Sequence, residues 1–91
     1  MYKIIYMKAD YEPWWQFEGW EAFIVSEQIF ETAEQFQEAY EGILENFRQQ
    51  YDNEATKHER YYAFWSDDEC EYCEACDDEA QVYHGIIVET P

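Results

Sequence analysis

Basic residues are scarce in this chain. Five Lys and Arg residues stand against 22 Asp and Glu residues, which gives a formal net charge of -17. Nucleic acids and anionic membranes are themselves negative, so this charge argues against both as direct partners. It favours a basic protein partner, or it serves only to keep the surface soluble.

Glycine and long apolar runs are scarce as well. Three glycines provide no phosphate-binding glycine loop, and no apolar run approaches the ~20 residues that span a bilayer. The motifs G-x-S-x-G and H-E-x-x-H are also absent from the sequence. We therefore expect no enzyme of these common types and no membrane protein. Because no Gly/Ser/Pro-rich linker divides the chain, we expect one acidic domain over residues 1–91.

Cysteines are few and close together. The three cysteines are an odd number within seven residues, which is not the pattern of a secreted disulfide framework. The N-terminus has Lys3 inside its apolar run and no small-residue cleavage site, so no signal peptide is predicted. A cytoplasmic location fits both observations.

Aromatic residues, by contrast, are abundant at 21% of the chain, and they argue against disorder. Apolar patterns predict strands at 2–9, 22–30, 60–65 and 82–89. Thr32 and Gln35 match a capping box, and they begin a helix near 32–50. Its apolar stripe comprises Phe36, Tyr40, Ile43, Leu44, Phe47 and Tyr51.

The order of these elements predicts an α+β fold. An antiparallel sheet of about four strands would pack against the one main helix, which covers the apolar face of the sheet. Residues 67–80 are acidic and carry the cysteines, and we predict a short helix or a knuckle there.

One candidate metal site lies in that segment and the strand after it. Thiolate and imidazole groups are preferred zinc ligands, and structural zinc usually takes four ligands. The alternatives are free thiols or redox chemistry, although the acidic flanks oppose thiolate formation. Zinc is the only cofactor that the sequence suggests, with Cys73, Cys76 and His84 as candidate ligands and Cys70, or alternatively His58, as the fourth.

A row of glutamates forms a candidate partner-binding surface. The spacings of four, three and four residues place them on one helix face, nearly opposite the apolar stripe. Such a face could dock on a basic protein by imitating a row of phosphates, or it could be a solvated face. The residues are Glu34, Glu38, Glu41 and Glu45.

Three tryptophans near the N-terminus form a second candidate surface. Trp14 and Trp15 are adjacent, and Trp20 follows Gly19. Exposed tryptophans are enriched at binding hot spots. The alternative is that Trp14 and Trp15 pack on opposite sides of an irregular loop and cover the sheet as a lid.

The segments EPWW, AFW at 63–65, and YCEAC followed by YHG resemble a family of small proteins from low-GC Gram-positive bacteria, the domain of unknown function number ten-thirty-three. The resemblance covers nearly the whole chain. It implies a cytoplasmic bacterial protein and brings no established activity. Cys73, Cys76 and His84 match the family pattern, whereas Cys70 is particular to this chain.

Overall fold

A computed structural model of the chain describes residues 1–67, 69–73 and 78–91, with the backbone alone for residues 70–73 and 78–80. Strands dominate this part of the chain, together with one α-helix and one short 3-10 helix. The elements in chain order are β1 (Tyr2–Ala9), the 3-10 helix (Trp20–Phe23), β2 (Ile24–Phe30), α1 (Ala33–Gln50), β3 (Asn53–Lys57), β4 (Tyr61–Trp65), β5 (Cys70–Cys73), β6 (Asp78–Gln81) and β7 (Tyr83–Glu89).

The main sheet has five strands in the order β2-β1-β7-β4-β3, and every neighbouring pair is antiparallel. Helix α1 runs from one edge strand, β2, to the opposite edge strand, β3. The α+β fold with an antiparallel sheet and one main helix is therefore confirmed. The number of strands in the sheet is five rather than the predicted four or so, because the polar strand β3 was not predicted.

The described part of residues 67–80 also differs from the prediction. Strands β5 and β6 pair in a separate antiparallel hairpin, with Cys70 opposite Gln81 and Cys73 opposite Asp78. In the part of this segment that the structure describes, there is neither a short helix nor a knuckle. A segment as short as CEYC suits a strand as well as a helix, so composition alone did not distinguish them.

Helix α1 covers one face of the main sheet. It begins after Thr32, whose hydroxyl oxygen accepts a hydrogen bond from the Gln35 backbone N–H at 3.2 Å, as a helix cap requires. The predicted stripe faces the sheet, with Phe36 and Leu44 buried and the other four side chains half-buried. It packs against a sheet face made of Ile4, Tyr62, Phe64, Ile86 and Val88.

The opposite face of the sheet is covered by residues 10–23, which we call the aromatic loop. Tyr11 and Trp20 pack on a second buried cluster of Ile5, Met7, Ala9 and Ile87. Pro13 is fully buried there, and a Cβ atom added to Gly85 would lie only 2.8 Å from Pro13 Cβ. The absence of a side chain at Gly85 thus allows the loop to lie directly on the sheet.

Candidate functional site

The predicted glutamate row lies on the outer side of α1. All four side chains are exposed, whereas the apolar stripe on the other side of the helix faces the sheet. At 1.5 Å of rise per residue, the row extends about 16 Å along the helix axis. We call these four residues, Glu34, Glu38, Glu41 and Glu45, the carboxylate ridge.

The side-chain contacts of the basic residues lie mainly outside this ridge. Arg48, at its edge, donates from Nε and a terminal nitrogen to the Glu54 carboxylate on β3, at 2.8 and 3.1 Å. These hydrogen bonds raise the pKa of the Arg48 guanidinium and direct it toward the sheet. Lys3 pairs with glutamates of β2 and β7, while Lys57 and Arg60 lie over aromatic rings. Four of the five basic residues thus make their contacts away from the ridge.

An open groove runs beside the carboxylate ridge. Its lining combines carboxylates with the apolar side chain of Leu44 and the ring of Tyr40, so it offers both charge and contact area. The groove is lined by Gln37, Tyr40, Glu41, Leu44, Glu45, Arg48 and Gln49.

The three predicted tryptophans have different environments. Trp20 is half-buried against the cluster of Ile5, Met7, Ala9 and Ile87, and it therefore helps to hold the loop on the sheet. Trp14 is half-buried, and Trp15 is 53% exposed. The Trp15 indole N–H donates to Glu12 Oε2 at 2.8 Å. Trp15 therefore remains available for contact.

Sequence reasoning missed two exposed aromatic residues in the same loop. Phe17 is 54% exposed and Phe23 is 43% exposed. The Phe17 ring lies nearly parallel to that of Trp15, with centroids 5.9 Å apart. Their closeness to the tryptophans in the sequence was the available signal, but an irregular loop has no periodicity that separates exposed from buried positions.

The carboxylate ridge and the aromatic loop lie on opposite sides of the sheet. Along β1, Ile4 and Tyr6 belong to the face under α1, while Ile5 and Met7 belong to the face under the loop. A single flat interface that uses both surfaces is therefore excluded by this geometry. Each surface has to be considered as a separate site.

His84 lies in neither surface but inside the core, between α1 and the sheet. Its side chain is buried, and both ring nitrogens have partners: Nδ1 is 2.7 Å from the Tyr6 hydroxyl, and Nε2 is 2.7 Å from Glu69 Oε1. The Tyr51 ring stacks on the imidazole at 4.3 Å between centroids. Nothing in the sequence indicated Tyr6 or Glu69 as partners, because they are 78 and 15 residues away from His84.

The order carboxylate, imidazole, hydroxyl is also that of a hydrolase triad, but the terminal group is different here. Burial chiefly, and then the charges of Tyr51 and Glu69, raise the pKa of the Tyr6 phenol. Both nitrogens of the buried imidazole have partners in this arrangement, as a buried histidine requires.

The predicted metal site falls mainly on residues outside the description. Cys76 and the side chains of Cys70 and Cys73 are not among the described atoms. His84 is described, and a zinc ion bound to it would have to displace Tyr6 or Glu69 from a ring nitrogen. Within the described residues, no group of three His, Cys, Asp or Glu side chains could hold a metal ion.

A five-stranded antiparallel sheet with a helix on one face and an aromatic loop on the other defines a small α+β domain. The chain belongs to the family described as Protein of unknown function (DUF1033), which matches residues 1–90. No curated protein and no solved structure matched the chain. Among the described residues, no helix is both long and apolar enough to cross a membrane.

Proposed function

We propose that this chain is a non-enzymatic interaction module that binds a basic protein partner through the carboxylate ridge. One observation carries the proposal: all four side chains of the ridge are exposed, and Arg48, the basic residue at its edge, is held by Glu54 instead. Neighbouring like charges on a helix destabilise it by about 0.2–0.5 kcal/mol per pair. A solubilising face needs no such uniform row, because mixed charges serve that purpose without this penalty.

The spacing of the ridge narrows the class of partner. Residues three and four apart on a helix are about 5–6 Å apart at Cβ, so the carboxylates form a regular row of negative charge. Such a row imitates the phosphates of a nucleic-acid backbone. A protein with a phosphate-binding surface of Lys and Arg side chains is the partner that this pattern fits.

Charge reversal on the ridge tests the proposal. Glu38→Lys combined with Glu41→Lys should weaken binding of the native partner by about tenfold, mainly through a slower association rate. Association of the unaltered protein should slow as salt is raised, because salt screens the steering field. The affinity and the association rate can both be measured by surface plasmon resonance with the partner captured from the native host.

A matched control separates the ridge from net charge. Glu59→Lys combined with Glu89→Lys changes the total charge equally, but these exposed residues lie outside the ridge. We expect this control to retain binding. Equal losses in the two double variants, or binding that is indifferent to salt, would exclude the ridge as the docking surface.

A further inference from the structure

The aromatic loop exposes more aromatic surface than its packing on the sheet uses. Trp15, Phe17 and Phe23 are each more than two-fifths exposed, and the Trp15 and Phe17 rings are inclined by only 4°. Tyr11 touches Phe17 and Phe23 edge-on, at 4.9 and 5.8 Å between centroids. These four rings form one continuous cluster, which we call the aromatic patch. Contiguous exposed apolar surface of this kind marks interaction sites.

Indole rings of this loop already bind a cation. The Lys57 ammonium, from β3, lies 5.8 Å from the centroid of the Trp14 ring and 5.5 Å from that of the Trp15 ring. Both distances are within the range in which a cation is attracted to a ring face, about 6 Å. The observed contact shows that the indole faces of this loop suit a positively charged group.

The aromatic loop also carries carboxylates. Burial chiefly, and then the charges of Asp10 and Glu21, raise the pKa of the Tyr11 phenol. The Glu12 carboxylate accepts the Trp15 indole N–H. Glu18 is exposed in the same loop. Rings bordered by carboxylates favour a ligand that is both flat and positively charged.

We propose that the aromatic patch binds an arginine-bearing segment of a protein partner. The guanidinium group is planar, so it stacks on the rings of Trp15 and Phe17 while its N–H groups pair with the bordering carboxylates. Lysine fits less well, because its ammonium is a compact and strongly hydrated charge. This surface is separate from the carboxylate ridge, and the proposal does not depend on the ridge.

Exposed aromatic rings also stack on nucleobases in proteins that bind single strands, but those proteins add a positive groove that follows the backbone. Here the net charge is -17, and Lys57 is the cation that lies over the indole rings. Electrostatic repulsion therefore favours the arginine segment over a nucleic acid.

The test uses short peptides of equal length in which arginine, lysine or citrulline alternates with glycine and serine. Citrulline keeps the planar shape of arginine without its charge. The isotope-labelled protein is titrated at moderate salt, and the indole N–H signals are followed by NMR. We expect the arginine peptide to shift the Trp15 signal and to bind about fivefold more tightly than the lysine peptide. The citrulline peptide should bind more weakly still.

Two variants locate the binding. Phe17→Ser should weaken binding of the arginine peptide about fivefold or more. Ile29→Ser removes an equally exposed apolar side chain, 60% against 54%, at the far end of β2 and should have no effect. The same NMR spectra show whether each variant is folded.

Three results would overturn the proposal: equal binding by both variants, equal binding of the citrulline peptide, or tighter binding of a single-stranded oligonucleotide. The Glu38→Lys and Glu41→Lys protein distinguishes the two surfaces. If that double variant fails to bind the arginine peptide while Phe17→Ser still binds it, the proposal for the aromatic patch is refuted and the proposal for the carboxylate ridge stands. Loss in Phe17→Ser alone would support the patch.

Discussion

At the scale of single residues, His84 is a polar side chain buried in the core. In the neutral tautomer with the proton on Nε2, the imidazole donates to Glu69 and accepts from the Tyr6 hydroxyl, at 2.7 Å each. Both nitrogens are thereby satisfied, which removes the penalty of burying a polar group. Glu69 lies between β4 and β5, so this pair of bonds also ties that connection to the sheet.

Replacing Tyr6 with Phe tests this role. The Tyr6→Phe variant keeps the ring but leaves the buried Nδ1 of His84 without its donor, so the free energy of unfolding should fall by about 1–3 kcal/mol. Urea denaturation measures the change. Tyr2→Phe is the control, since Tyr2 lies on the same strand and the same face and its ring stacks on Phe36. Equal losses in the two variants would show that the hydrogen bond to His84 contributes nothing specific.

At the scale of elements, the turn between β3 and β4 has a backbone conformation that its residues do not favour. The Lys57 carbonyl accepts the Arg60 N–H at 3.4 Å, and His58 and Glu59 between them both have φ of 56°. Two successive positive φ values match a type I′ turn, which favours Asn followed by Gly. Non-glycine residues in this region usually store strain. The tight pairing of β3 with β4 therefore imposes the turn on residues that do not prefer it.

Relieving the backbone strain in this turn should stabilise the protein. His58→Asn combined with Glu59→Gly is expected to raise the free energy of unfolding by about 1 kcal/mol, because both new residues accept positive φ more readily. Chemical denaturation is again the measurement. Arg60→Gly serves as the control in the same turn, where φ is not positive, and it should destabilise the protein. A double variant less stable than the unaltered protein would contradict the strain interpretation.

At the scale of the whole molecule, charge and buried phenols set the response to pH. Burial is the leading cause of a raised pKa in five tyrosines, which keeps their phenols protonated in the folded state. In the unfolded chain these groups would ionise near pH 10.0. The five residues are Tyr6, Tyr11, Tyr51, Tyr62 and Tyr83.

The sign of the resulting pH dependence follows from proton linkage. Below the unfolded pKa of 10.0, the folded and unfolded states both hold the phenolic protons. The contribution of these tyrosines to stability is therefore fully present there. As the pH rises above this value, the unfolded state releases protons first, so stability should fall. The loss for each tyrosine should be well below the limiting value of about 1.4 kcal/mol per pH unit, because four of the five are only half-buried. Urea midpoints between about pH 8 and pH 11, with tyrosinate absorbance, measure this loss. Tyr51→Phe should flatten the dependence, and midpoints that stay constant across this range would refute it.

Much of the architecture was predictable because it depends on sequence patterns between residues that are close together in the chain. The predicted helix 32–50 and the observed Ala33–Gln50 nearly coincide, and the predicted strands 2–9, 60–65 and 82–89 agree with β1, β4 and β7 to within one residue. A capping threonine and an apolar stripe at helical spacing act between residues a few positions apart. The exposure of the carboxylate ridge follows from the same periodicity, since one side of the helix must face the sheet.

Other features depend on contacts between residues far apart in the chain, and only the tertiary structure decided them. Strand β3 has the polar sequence NEATK, and it is a strand because β4 offers it a backbone partner. The folding of the loop over Gly85 determined that Trp20 would pack inward while Trp15 and Phe17 stayed exposed. The environment of His84 was likewise decided by the meeting of β1, β7 and the segment before β5, because burial and hydrogen bonding are properties of the assembled fold.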